Sequence, residues 1–281
     1  MNVKISVFNG IITLIGYICN MRQYIVDAFA EELFTGNPAA VLPCREMPSP
    51  ELMLKIAIEN NYSETAFVVK KAPGRYDLKW FTPGGEVDLC GHATLATAFT
   101  LYNYADKGVE EMRFDTLSGE LIVTPGEGGF TMDFPIGKVK PIPVDDDILA
   151  ASGGLAKEAY YDGGDTVIVV GSEEELRNFR PEPDLIKKVP GLGMILTTTS
   201  KEYDFVSRCF YPDVDVPEDP VTGRAHTYMA PVWAPKLGKT VMRAKQISKR
   251  GGLVGVRLGE DRVYITGKAC LFMEGDIPFD L

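Results

Sequence analysis

The chain has 281 residues, 45% of them hydrophobic and 24% charged, with 39 acidic against 29 basic residues and a net charge of −10. That length accommodates about two domains with cores of their own, and the composition is that of a folded globular protein. The acidic balance and the lack of any Lys/Arg cluster speak against nucleic-acid binding and point to small-molecule chemistry.

The cysteines, Cys19, Cys44, Cys90, Cys209 and Cys270, are far apart and never form a CxxC pair. This usage fits a reducing cytoplasm rather than a disulfide framework. His92 and His226 are the only histidines, and with no close Cys/His grouping read from the sequence, no metal site is expected.

In chain order, the opening "MNVKISVFNGIITLIGYICN" has an apolar stretch too short to span a membrane. Its single Lys4 and the poor cleavage site "YICN" make a weak signal peptide. Met21 opens "MRQYIVDAF", a natural first strand, so residues 1–20 read as a leader or upstream extension. "FTGNPAAVLP" predicts a turn at Gly36-Asn37-Pro38 and then a strand. "PSPELMLKIAIENN" predicts a helix with Ser49 as N-cap, Pro50 in the first turn, and Leu52 and Ile56 on one face. "SETAFVVKK" is strand-like, and "RYDLKWF" sets Tyr76, Leu78 and Trp80 against Asp77 and Lys79 with the period of a half-buried strand. "GELIVTPGEGGFTMDFP" reads as a hairpin turning at Gly126–Gly129, with Phe130, Met132 and Phe134 on one face.

Beyond it come strands at "DTVIVVG", "GMILTTT" and "YDFVSRCFYP", and a capping box Ser172-x-x-Glu175. "GGLVGVRLGEDRVYITGKACLFMEG" closes the chain as hairpin strands. Strands outnumber helices and most connections look like hairpins, which predicts an α+β fold with antiparallel sheet. Neither GxGxxG after a strand nor GxxxxGK[ST] is present, so dinucleotide and P-loop readings have no support.

A repeat runs through this pattern. "FTPGGEVDLCGHATLATAF" and "FYPDVDVPEDPVTGRAHTYMAPVW" each give aromatic-x-Pro, an acidic loop, and Gly-x-Ala opening an apolar helix. Gly91-His92-Ala93 corresponds to Gly223-Arg224-Ala225. Helices apolar nearly all round are buried.

A helix start exposes unpaired N–H groups and about half a positive charge, and glycine lets a ligand approach it. Two such starts facing one cleft suit a small carboxylate; simple capping and packing is the bland alternative. Carboxylates lie close in sequence: Glu86 and Asp88 before the first helix, and Asp213, Asp215, Glu218 and Asp219 before the second. Most such loop acids are merely solvated. In "SETAF", Glu64 precedes an apolar run, and a carboxyl at the mouth of an apolar pocket is suited to general acid/base work. An exposed strand glutamate would give the same local pattern.

"DAFAEELFTGNPAAVLP", "NYSETAFV", "FTPGGEVDLCGHATLATAF" and "EDPVTGRAHTYMAPVWAPKLGK" resemble, in order, the hallmark segments of the PhzF-like family, within the diaminopimelate-epimerase fold superfamily. The likeness runs from about Met21 to the C-terminus. It implies two pseudo-symmetric domains, each a β-barrel-like antiparallel sheet around a central helix, with the active site between them. The N-terminal one spans 21–124 and is completed by a C-terminal strand at about 266–281; the other spans 125–265. The resemblance also implies a homodimer, and an isomerase that moves a proton on a small carboxylate-bearing substrate without metal or organic cofactor.

By that likeness Glu64 is the general acid/base, His92 and Asp219 line the pocket, and Gly91 and Gly223 offer amides to the substrate carboxylate. Arg224 replaces the serine of the family isomerase; a guanidinium can clamp an anion bidentately or fill the pocket, and both remain open. Cys90 takes the place of the first cysteine of the two-cysteine epimerases and borders the substrate site, but "EDPVTG" has no matching thiol, so it reads as a small packed residue. His226 is read equally as a core or a substrate-facing histidine. An epimerase or racemase, and a non-catalytic metabolite-binding or interaction protein on the same fold, are the alternatives.

Overall fold

A computed structural model describes residues 5–8, 11–14, 18–161, 163–214 and 216–280. Much of the expected leader (residues 1–4, 9–10 and 15–17), and Asp215 of the second acidic loop, lie outside the described residues. Strands dominate, with helices α1 (Pro50–Asn60), α2 (Gly91–Thr100), α3 (Asp146–Ala151), α4 (Glu173–Asn178), α5 (Pro183–Ile186) and α6 (Gly223–Leu237) set among them.

The repeat seen in the sequence is a repeat of strand pairings. In the first half, Asn37–Cys44 lies parallel to Glu64–Ala72 across α1, and Glu64–Ala72 is antiparallel to Arg75–Thr82. Arg75–Thr82 carries the short strand Gly85–Val87 and, across α2, the parallel strand Met112–Thr116. In the second half, Thr166–Val170 lies parallel to Met194–Thr199 across α4 and α5, with Phe205–Tyr211 antiparallel to the latter. Phe205–Tyr211 then carries Val216–Asp219 and, across α6, the parallel strand Val241–Gln246.

The sheet is therefore mixed rather than antiparallel throughout. Each parallel pair needs a crossover of a dozen residues or more, and these crossovers are the helical segments themselves. Gly129–Pro135 joins the halves by pairing with both Gly119–Gly126 and Arg262–Gly267, and Ala269–Asp280 returns to Ile18–Ala28.

Local chemistry sets the elements much as expected. Ser49 caps α1 by accepting from Leu52 N–H, and Asn61 closes it in the left-handed region; Leu52 and Ile56 pack on the same core cluster, with Met53 buried beside them. Ser172 accepts from Glu175 N–H at the start of α4. Tyr76, Leu78 and Trp80 face the core, as do Phe130, Met132 and Phe134 of the hairpin.

The two helices of the repeat run through the core. On α2, Thr94, Thr97 and Thr100 are fully buried, and each hydroxyl donates back to the carbonyl four residues earlier (Cys90, Ala93 and Ala96). That back-bonding satisfies polar groups in an otherwise apolar helix. On α6, Pro231 lacks the N–H that would reach Thr227 O; Gly137 N–H donates to that carbonyl at 3.2 Å instead.

Phe29 sits beneath the start of α6, buried and with φ +58°, a conformation costly for a residue with a Cβ. A Cβ built on Gly223 would come 3.5 Å from its ring, one on Gly252 2.8 Å from its carbonyl oxygen, and one on Gly267 2.4 Å from its ring. Glycine is required at the last two positions because the Phe29 ring and backbone occupy the space.

Candidate active site

The starts of α2 and α6 abut. A Cβ added to Gly91 would lie 3.6 Å from the Gly223 Cα, and one added to Gly223 would lie 3.7 Å from the Gly91 Cα. Neither start is capped by its own N-cap: Cys90 and Thr222 make no side-chain bond to the helix amides. The amides at both starts are therefore not taken up by their own N-cap side chains.

Five side chains close around this junction. Glu64, the first residue of its strand, brings Oε2 to 3.1 Å from His92 Nε2. The contact is close but not aligned as a hydrogen bond, so both atoms are buried without a hydrogen-bond partner. His92 is 5% exposed, and its Nδ1 faces Cys90 Sγ at 3.5 Å and Asn37 Nδ2 at 3.2 Å. Asn37 Nδ2 donates to Asp219 Oδ1 at 2.8 Å and to Val221 O at 3.0 Å. Asn37 is thus the bridge between the halves, since it opens a first-half strand and its acceptors precede α6.

Asp219 is held further by the Thr222 hydroxyl, which donates to Oδ2 at 2.5 Å. Gln246 locks that loop: its Nε2 donates to Asp219 O at 2.7 Å and its Oε1 accepts from Thr222 N–H at 2.8 Å.

Burial tunes these groups. It pushes the Asp219 carboxyl up to about 6, against the pull of His92 and of the Thr222 and Asn37 donors; the residue keeps partial exposure while its carboxyl head is enclosed. Burial alone would lower His92, but the Cys90 sulfur and the Glu64 carboxylate outweigh it and hold the imidazole well above its ordinary value. Burial, reinforced by Glu64, raises the Cys90 thiol.

The sequence-predicted residues divide clearly. Glu64, Cys90, Gly91, His92, Asp219 and Gly223 come together. Arg224 begins at the same junction, but its Nη2 reaches both oxygens of the fully buried Asp165, at 2.9 and 3.0 Å. Tyr211 also donates to Asp165, at 3.2 Å. His226 is a core residue: its Nδ1 lies 2.8 Å from Thr222 O, it is fully buried, and burial lowers its pKa to about 4. Cys209 lies directly across from Asp219 in the strand pair, and burial raises its thiol well above the ordinary value.

The other carboxylates do not join. Glu86 pairs with Lys79, Glu218 with Arg208, and Asp213 with Lys187 at 3.9 Å, while Asp88 is exposed. The expectation of no close Cys/His grouping is corrected, because Cys90 and His92 flank one glycine at a helix start and Glu64 completes a cluster with them. Asn37, Gln246 and Asp165 were not singled out as site residues. Asn37 and Asp165 lie in segments quoted above, but only the fold shows what these three side chains reach.

The model of the PhzC-PhzF family, described as phenazine biosynthesis-like protein, matches residues 26–275. The chain belongs to this family. It is 46% identical over 252 residues to an uncharacterized isomerase of Pseudomonas aeruginosa, covering 90% of this chain and 96% of that one. A crystal structure of a PhzF-family phenazine biosynthesis protein from Enterococcus faecalis is 44% identical, with a TM-score of 0.89 over 92% of this chain and 99% of that one. A hydroxyproline epimerase from Agrobacterium vitis, 12% identical with a TM-score of 0.62 over 95% of this chain and 94% of that one, shares the fold alone. The fold is therefore of the diaminopimelate-epimerase-like class, and PhzC-PhzF relatives support a general isomerase role. No described helix is long and apolar enough to cross a membrane.

Proposed function

We propose that the chain is an isomerase that moves a proton on a small carboxylate-bearing metabolite, with Glu64 as general acid/base and no metal or organic cofactor in the reaction. The observation that carries this reading is the contact of two uncapped helix starts at Gly91 and Gly223, beside Glu64 and His92. Amides at a helix start favour an anion, and they favour it more as charge develops on the substrate carboxylate in the transition state.

Glu64 takes the proton from one carbon and returns it to another. The raised His92 carries positive charge beside it, which offsets the substrate charge left when the proton departs. Asp219, titrating near 6, is partly protonated near neutral pH and orients the far side of the pocket through Asn37. Arg224, beside the second helix start, commits its guanidinium to Asp165 rather than to a free anion.

Screening carboxylate metabolites in D₂O gives the test. A true substrate incorporates solvent deuterium with the wild-type chain, and Glu64→Gln abolishes that incorporation while the fold is kept. Undiminished exchange in Glu64→Gln overturns the assignment. A second reading, an epimerase pairing Glu64 with Asp219, is favoured by the proton that Asp219 holds near pH 6. Loss of optical rotation without a shift of a double bond distinguishes it.

A further inference from the structure

Glu64, Cys90 and His92 each offer a donor atom of a different kind: a carboxylate oxygen, a sulfur and an imidazole nitrogen. One donor from each can be chosen so that all three lie within 4.8 Å of one another. Two further observations single this cluster out. Glu64 Oε2 and His92 Nε2 are buried and lack hydrogen-bond partners, 3.1 Å apart. His92 and Cys90 are 5% and 6% exposed, so both donors are held by the packed start of α2 rather than by a mobile surface.

Donors on one zinc ion stand about 3.2–3.7 Å apart, given bond lengths near 2.0–2.3 Å in a tetrahedron. Glu64 Oε2 and His92 Nε2, 3.1 Å apart, are close to that spacing, whereas Cys90 Sγ lies 3.5 Å from the other ring nitrogen, Nδ1. An imidazole gives an ion only one nitrogen, so Nε2 and the carboxylate hold the ion and a turn of the Cys90 side chain brings the sulfur to it. Calcium and magnesium take oxygen donors, whereas a mixed S/N/O set suits zinc.

We propose that Glu64, Cys90 and His92 bind one Zn²⁺ ion in a three-ligand site that excludes substrate from the junction of the two helix starts. The fourth position faces that junction and takes a water or an anionic ligand. Cys90 binds as thiolate and His92 as the neutral imidazole, each releasing its proton to solvent. The ion occupies the Glu64 carboxylate, so it acts as an inhibitor of the proton transfer and not as its cofactor.

The test uses Co²⁺ as a spectroscopic stand-in on the full chain stripped with a chelator. Wild type is expected to take up one Co²⁺ per chain with near-ultraviolet thiolate-to-cobalt absorption, and Zn²⁺ is expected to displace it. Cys90→Ser should lose the absorption, with unchanged circular dichroism, while a Cys44→Ser/Cys270→Ser chain keeps it. Glu64→Gln should weaken binding at least as much as loss of an outer-shell partner does, about 10–100-fold. No absorption with wild type, or full absorption in Cys90→Ser, overturns the proposal. If Cys90→Ser does not fold, unchanged affinity in Glu64→Gln overturns it equally. Metal uptake is read by absorbance and exchange by deuterium, so failure of zinc binding and failure of the isomerase reading are separate results.

Discussion

Gly91 and Gly223 touch across the pseudo-repeat, each Cα within 3.7 Å of where the other's Cβ would stand. Glycine at these two places keeps two sets of helix amides on one small volume. Alanine fits, since contacts of 3.6–3.7 Å are ordinary van der Waals approach. Gly91→Ala is therefore expected to keep its melting temperature within a few degrees while deuterium exchange falls at least about tenfold, because the methyl takes the space of the substrate carboxylate. Thermal denaturation and exchange on one preparation check both halves of that expectation.

Asn37 carries the link between His92 and Asp219. Asn37→Ala leaves Asp219 Oδ1 and Val221 O without their shared donor, and a buried acceptor left unmade costs about 1–3 kcal/mol. Asn37→Asp should be worse than Asn37→Ala, because it sets a second carboxylate beside Asp219. Urea unfolding of the two variants gives the order; equal stabilities would remove Asn37 from the bridge.

Asp219 and His226 oppose one another in their effect on stability against pH. Asp219 has its folded pKa raised to about 6, so its contribution is fully present below its unfolded value, about 3.9, and is lost as pH rises through 6. His226 has its folded pKa lowered to about 4, so its contribution is present above about 6.5 and is lost as pH falls toward 4. Each is worth about 3 kcal/mol, and between pH 4 and 6 they largely cancel. Asp219→Asn should therefore be more stable than wild type at pH 7, and should lose that advantage as the pH is lowered to 4. His226→Gln should instead gain stability relative to wild type over the same fall. Denaturant midpoints across pH 4–8 decide the matter, and parallel profiles for all three chains would contradict it.

Arg224 and Asp165 form a pair with one member fully buried. Removing the guanidinium by Arg224→Met takes the charged partner from that buried carboxylate, with an expected loss of about 3–5 kcal/mol. Adding Asp165→Asn should recover much of it, which a double-mutant cycle measures as coupling. Additive losses would show that the pair is a contact without energetic weight.

Much of this molecule is legible in its sequence because the signals are local. Ser49, Ser172 and the alternation of Tyr76, Leu78 and Trp80 act within one element. The repeated Gly-x-Ala starts mark the site because a helix start is itself a chemical group. The parallel crossovers were hidden because hairpin-like turn residues do not report which strand a segment rejoins. Asn37, Gln246 and Asp165 were missed for a related reason: each acts on residues 182, 24 or 59 positions away. The destination of Arg224 was unreadable while Asp165 stood unremarked at the edge of a strand.

Phe29 has a consequence for how the chain matures. Its pocket is walled by Gly223, Gly252 and Gly267, which arrive from the ribosome some two hundred residues after it. Until then part of the wall around its ring is missing. The first half is not expected to reach its final form as an independent body, and residues 21–124 expressed alone should yield a sticky fragment rather than a small protein. The two halves repeat one pairing scheme, and the Phe29 ring, walled by glycines that come late in the chain, is one of the places where they cannot be parted.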